Sequence, residues 1–233
     1  MNNDTIKICF IGDIHGKSVW KKFIKDPTIN FFVFSGDYVD NDMGMVISDE
    51  EMIENFQDII DFKRKNMNSV IVLKGNHDLS YWYLNYPIFK CSRFRESIAM
   101  ELNDLYSFNK DLFQNAWQYK NVVATHAGIQ HNWFINEFKG DITLNVADQL
   151  NNPKDENQLN ALYQVGKIRG GWKDVGGIFW ADKSELNKSL KGVIQVVGHN
   201  RVKDISYYIN KNYGEIYFID CLGYKENCLI LEL

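Results

Sequence analysis

The shortages in this 233-residue chain narrow it first. Only three prolines occur, with no low-complexity tract and no internal repeat, so nothing marks a linker and a repeat array is excluded. Cysteine is scarce as well. The four residues, at 9, 91, 221 and 228, form no C-x-x-C pair in a chain too long to need covalent staples, so reduced thiols are expected. The longest purely apolar stretches, such as Val70 to Leu73, fall far below the about 18 residues of a membrane span, and residues 1–13 lack the apolar core of a signal peptide. Basic charge is not in excess: 26 Lys plus Arg stand against 30 Asp plus Glu, a formal charge of −4, which gives no support for generic binding to nucleic acid or anionic membrane. A cytoplasmic protein that acts as a monomer is expected.

What remains is an ordinary globular composition, 45% hydrophobic and 24% charged, in a length that suits one domain with one substantial core. Short β-branched or aromatic runs at Ile6 to Ile11, Phe31 to Phe34, Val70 to Leu73, Val122 to Ala124 and Val193 to Val197 each stop at a polar cluster and predict buried strands. Between them, Ser48 to Asn66 reads as a helix, with Ser48 and Glu51 as a capping box and Met52, Ile53, Phe56, Ile59 and Ile60 on one face. Trp20 and Phe23 read as core. This alternation argues for an α/β sheet with its ligand loops at the carboxyl ends of strands. Three further runs, Ile205 to Ile209, Glu215 to Ile219 and Cys228 to Leu233, predict a C-terminal β-meander. Residues 79–119 and 139–177 show no clean period and read as cap-like inserts in the single domain 1–233.

The chemistry lies in where the histidines fall. Asp13 and His15 follow the first run as G-D-I-H-G, Asp37 and Asp40 the second as G-D-Y-V-D, and Asn76 and His77 the third as G-N-H-D. His126 in T-H-A-G and His199 in G-H-N close the later two. If these strands are neighbours, imidazoles, carboxylates and an amide converge in one cleft, a donor mixture that suits Mn, Fe or Zn better than Ca or Mg. One ion could not use them all. A binuclear site, with metals roughly 3.5–4 Å apart, would polarise a phosphoryl oxygen and supply hydroxide at neutral pH, which is hydrolytic chemistry on a phosphate ester. Gly12, Gly36, Gly75 and Gly198 precede the ligands and would permit sharp turns.

In this order the five blocks resemble the calcineurin-like metallophosphoesterases, and most of all their phosphoprotein-phosphatase branch. That resemblance implies a four-layer α/β/β/α sandwich of two mixed sheets. It also implies two divalent metal ions, manganese foremost with iron or zinc as alternatives. Asp13 and His15 would hold the first metal, Asp37 would bridge, and Asn76, His126 and His199 would hold the second. His77, oriented by Asp40, would protonate the departing alkoxide of a phosphoprotein or small phosphate ester.

The sequence departs from the branch at one place. The second block usually continues as G-D-x-x-D-R-G, its arginine gripping substrate phosphate, and here Asn41 stands there. Arg169, in Arg169-Gly170-Gly171, is the leading substitute and Arg201 the second; Arg201 stands where many phosphodiesterases place a further histidine. Phe179 to Asp182 resembles the L-W-x-D stretch of the phosphatases. Gly75 to Leu79 and His126 to Ile129 are also similar to bacterial symmetrical dinucleoside tetraphosphate hydrolases, so a dinucleoside polyphosphate or nucleotide substrate is the alternative. An inactive scaffold is a third reading. The aromatics Tyr81, Trp82, Tyr83, Tyr86 and Phe89 read as packing, or else as a wall beside the metals, and His131 as a solvated loop side chain.

Overall fold

The computed structural model describes residues 5–42 and 44–233. Two mixed sheets form the frame. The first has the order β10-β1-β2-β3-β4, from β1 (Lys7–Ile11), β2 (Phe31–Phe34), β3 (Val70–Leu73), β4 (Phe113–Gln114) and β10 (Leu229–Glu232). β1 to β4 run parallel, and β10 pairs antiparallel to β1. The second has the order β5-β6-β7-β9-β8, from β5 (Ala116–Tyr119), β6 (Val122–Thr125), β7 (Ile194–Val197), β8 (Ser206–Ile209) and β9 (Glu215–Phe218). Here β6, β7 and β9 are parallel, flanked by antiparallel β5 and β8.

Both faces of the central strands are buried, so alternate residues serve different layers. Ile8, Phe10, Ile71 and Leu73 of the first sheet pack against Val122, Ala124 and Val196 of the second. Cys9, Ile11, Val70 and Val72 turn the other way, onto α1 (Trp20–Phe23), α2 (Asp49–Lys65), α3 (Asn76–Trp82) and α4 (Ala99–Phe108). Val123 packs outward with residues of α5 (His131–Asn136), α6 (Val146–Asn151) and α7 (Glu156–Tyr163). Helices, two sheets and helices again make four layers. The helix read at Ser48 to Asn66 is α2, and its capping box is formed: Ser48 Oγ accepts from the Glu51 amide at 3.2 Å, and Glu51 Oε2 accepts from the Ser48 amide at 3.0 Å. Trp20 is fully buried and Phe23 packs beside it.

The expected meander does not form. β8 and β9 make an antiparallel hairpin, but residues 228–233 cross to the first sheet, where Leu231 and Leu229 register with Ile8 and Phe10. The reason is burial: an edge beside β1 lets Leu229 and Leu231 pack between the sheets. Residues 79–119 carry α4 and the edge strands β4 and β5, one for each sheet, and residues 139–177 carry α6 and α7. Among the described residues no helix is long and apolar enough to cross a membrane. All four cysteines are unpaired.

Candidate metal centre

Parallel strands of both sheets, β1 to β3 in the first and β6, β7 and β9 in the second, aim their carboxyl ends at one edge of the sandwich, and a cleft of about 700 Å³ opens there. Asp13 and His15 follow β1, Asp37 follows β2, and Asn76 and His77 open α3 after β3. From the second sheet come His126 after β6, His199 after β7 and, unread in the sequence, Asp220 after β9. Asp220 follows its strand as the other site residues follow theirs, a signal obscured by assigning β9 to a meander.

Two clusters of ligand atoms lie within 4.8 Å: Asp13, His15 and Asp37, and Asp37, His126 and His199. They share Asp37. His15 Nε2 and His126 Nε2 stand 3.9 and 3.5 Å from Asp37 Oδ2. Tautomers follow from the outer partners, because a carbonyl can only accept. His15 Nδ1 therefore donates to Val39 O at 3.2 Å and His126 Nδ1 to Ser35 O at 2.8 Å, leaving each Nε2 lone pair for the site. Asn76 Oδ1 lies 2.8 Å from both His126 Nε2 and His199 Nδ1, so Asn76 joins the second cluster.

The electrostatics suit a cation. Asp13, 1% exposed, has its carboxyl pushed well above the usual range by burial and by Asp220 and Asp37. Asp220 is raised to about 7, by burial first and then Asp42. Burial also pushes Asp37 up, but the four surrounding imidazoles outweigh it and hold that carboxyl low. Burial holds His126 and His199 below the ordinary imidazole value and His15 at about 3, so these rings are neutral ligands. His199 Nε2 is buried without a hydrogen-bond partner. Neutral imidazoles, crowded carboxylates and an orphaned ring nitrogen fit divalent metal ions.

The backbone is bent to bring them there. Of the seven non-glycine residues with positive φ among the described residues, His15, Asp37, Asp40, Arg93 and His199 belong to this site. The glycines serve mainly by lacking a side chain. Of Gly12, Gly36, Gly75 and Gly198 only Gly36 has positive φ, whereas a Cβ on Gly75 or Gly198 would come within 2.2 Å of Asp37 Oδ1 or 2.0 Å of Asp13 Oδ1. Asp78, also unread, ties the second loop to α3: its carboxylate accepts from the amides of Asp37, Tyr38 and Gly75 at 2.8, 2.9 and 2.7 Å.

His77 stands apart from the ligand clusters. Its Nδ1 is 2.6 Å from Asp40 Oδ2, and Tyr81 Oη donates to the other Asp40 oxygen. Burial, and to a lesser degree the Arg93 charge, would lower the imidazole, but Asp37 and Asp40 more than compensate and raise it. Tyr81 is fully buried and packs on Phe94, and none of the five clustered aromatics lines the cleft; Trp180 does. His131 lies outside it, half-buried at the start of α5 against Tyr213.

The family model for calcineurin-like phosphoesterases matches residues 6–220. The chain belongs to that family. It is a phosphoric ester hydrolase, of a metal-dependent family, with the two-sheet fold expected from the resemblance. Among solved structures it is similar to a protein serine/threonine phosphatase from Saccharomyces cerevisiae with similarity to human phosphatase PP5. That likeness has a TM-score of 0.52 at 13% identity and covers 98% of this chain and 79% of that one. It is also similar to a metallophosphoesterase from Sphaerobacter thermophilus, with a TM-score of 0.36 at 10% identity over 92% of this chain and 76% of the other. No curated protein matches the sequence.

Arg169 and Arg201 both line the cleft, on its second-sheet side. Asn41 does not. Its side-chain oxygen accepts from Arg95 Nη2 and its carbonyl from Arg93 Nη1, so a residue expected to face substrate is occupied by two arginines from the segment after α3.

Proposed function

We propose that this enzyme is a phosphomonoesterase of the protein serine/threonine phosphatase type, working through two divalent cations. The observation that carries this reading is the His77–Asp40 pair at 2.6 Å, set beside two ligand clusters that share Asp37. Asp13, His15 and Asp37 would hold one ion, and Asp37, Asn76, His126 and His199 the other. When bound, such ions supply Lewis acidity that activates water and polarises the phosphoryl group, and manganese, iron or zinc suits the donors.

The chain's own residues do the rest. Asp40 accepts the His77 Nδ1 proton and fixes the ring so that Nε2 faces the cleft. The raised imidazole remains protonated to higher pH than a free histidine, so Nε2 can deliver a proton to the leaving alkoxide. Tyr81, donating to Asp40, keeps that carboxylate from turning away. The same fixed pair argues against an inactive scaffold, in which no such acid is needed.

Hydrolysis by manganese-reconstituted protein tests the reading on p-nitrophenyl phosphate, a phosphoserine peptide, bis-p-nitrophenyl phosphate and diadenosine tetraphosphate. Turnover of the first two above the others is expected. Preference for the tetraphosphate would replace the monoesterase with a nucleotide hydrolase, and no turnover of any ester would end the reading.

A further inference from the structure

The arginine missing at position 41 is supplied from elsewhere. We infer that Arg93, carried by the segment after α3 and 52 positions from Asn41, is the residue that grips the substrate phosphate. The inference rests on the hydrolytic reading of the cleft.

Three arginines line that cleft, and their partners distinguish them. Arg169 Nε faces Asp182 Oδ2 at 2.9 Å, and its Nη2 donates to Asn200 Oδ1 at 2.7 Å. Arg201 pairs with Asp42, which also takes Lys17 Nζ at 3.0 Å. A phosphate must compete with a carboxylate for either guanidinium. Arg93 is different: Nη1 donates to the Asn41 carbonyl and Nη2 lies 3.4 Å from His77 Nε2. Among the described residues no ion pair with a carboxylate includes it. Its charge is therefore open to an incoming dianion, which a planar guanidinium binds with two parallel hydrogen bonds.

Position points the same way. Nε2 is the atom that would meet the leaving-group oxygen, so a guanidinium within 3.4 Å of it stands beside the phosphorus. The backbone is built to hold it there. Arg93 has φ +69°, in the left-handed region that a non-glycine residue enters at a cost, a feature it shares with His15, Asp37, Asp40 and His199. Two residues to either side the segment is anchored on α3. The Cys91 amide donates to Ser80 Oγ at 3.0 Å and its thiol to Asn76 O at 3.2 Å, while the Arg95 amide donates to Tyr81 Oη at 2.8 Å. Asn76 and His77 thus share one support with the tip that carries Arg93.

The test is calorimetric titration of inorganic phosphate into the manganese-loaded full chain, with manganese content measured on each variant. Arg93→Ala is expected to weaken phosphate binding roughly 10–100-fold, the range of a charge-assisted hydrogen bond, at unchanged manganese content. On p-nitrophenyl phosphate its KM should rise more than its kcat falls, and Arg93→Lys should recover part of the binding. The inference is overturned if Arg93→Ala binds phosphate like wild type, if Arg169→Ala or Arg201→Ala loses more than it does, or if its loss of binding merely follows a loss of manganese. A wild-type protein that binds phosphate yet hydrolyses no ester would remove the hydrolytic reading, while the titration would still decide Arg93.

Discussion

On the floor of the cleft, Asp13, Asp37 and His126 are at most 2% exposed and sit directly behind strands, each fixed by hydrogen bonds to neighbouring loops. On its rim, Arg93 and Arg169 stand on loops exposed to solvent, and their directions are set by contacts with residues far away in the chain. The floor takes its geometry from parallel strands whose carboxyl ends meet at one edge. The rim is adjustable, and an arginine can enter it from more than one segment. Floor substitutions should therefore abolish metal binding or chemistry, whereas rim substitutions should grade affinity.

The largest effect is expected at Asp37, the residue common to both clusters. Asp37→Asn should lower manganese affinity by more than the about 100-fold that the loss of an outer-shell partner can cost, with activity falling in step. Metal analysis after dialysis checks it. An Asp37→Asn protein that kept both ions would break the division between floor and rim.

His77→Asn comes next, with kcat reduced roughly 10²–10⁴-fold, the contribution of a positioned general acid, and manganese content unchanged. Asp40→Asn should act through the same proton. The imidazolium is present below the raised His77 pKa and is lost as pH rises through it, so turnover should fall along an alkaline limb. Removing the Asp40 charge and hydrogen bond takes away two of the influences that raise it, so the limb should move to lower pH. A pH–rate profile with an unmoved limb would separate Asp40 from the acid.

The same contrast explains how much could be read from the sequence. Strand runs ending in G-D-x-H, G-D-x-x-D, G-N-H, H-A-G and G-H are local patterns, and each residue they pick out lies in the cleft or directly beneath it. Asp220 carried the same signal after β9, but β9 and the last strand look alike in sequence although they join different sheets. Only the partner strand, supplied by the fold, separates them. Arg93 carried no local signal at all. It stands in an irregular segment, and its relation to Asn41 and His77 arises from anchors at Ser80, Asn76 and Tyr81 that no spacing rule predicts.

The smallest expected effects belong to the paired arginines. Arg169→Ala and Arg201→Ala each remove a guanidinium already matched by Asp182 or Asp42, so the KM for a phosphate ester should change by less than about fivefold, equivalent to about 1 kcal/mol. The two should still differ. Against burial, Asp182 is held low first by its hydrogen bonds from Ser184 and then by Arg169, so its carboxylate stays satisfied when Arg169 is gone. Asp42 is 5% exposed and would rely more heavily on Lys17, so Arg201→Ala should lower the melting temperature more than Arg169→Ala does. Thermal melts of the two variants measure this directly, and a larger loss in Arg169→Ala would show that the rim is braced from the Asp182 loop.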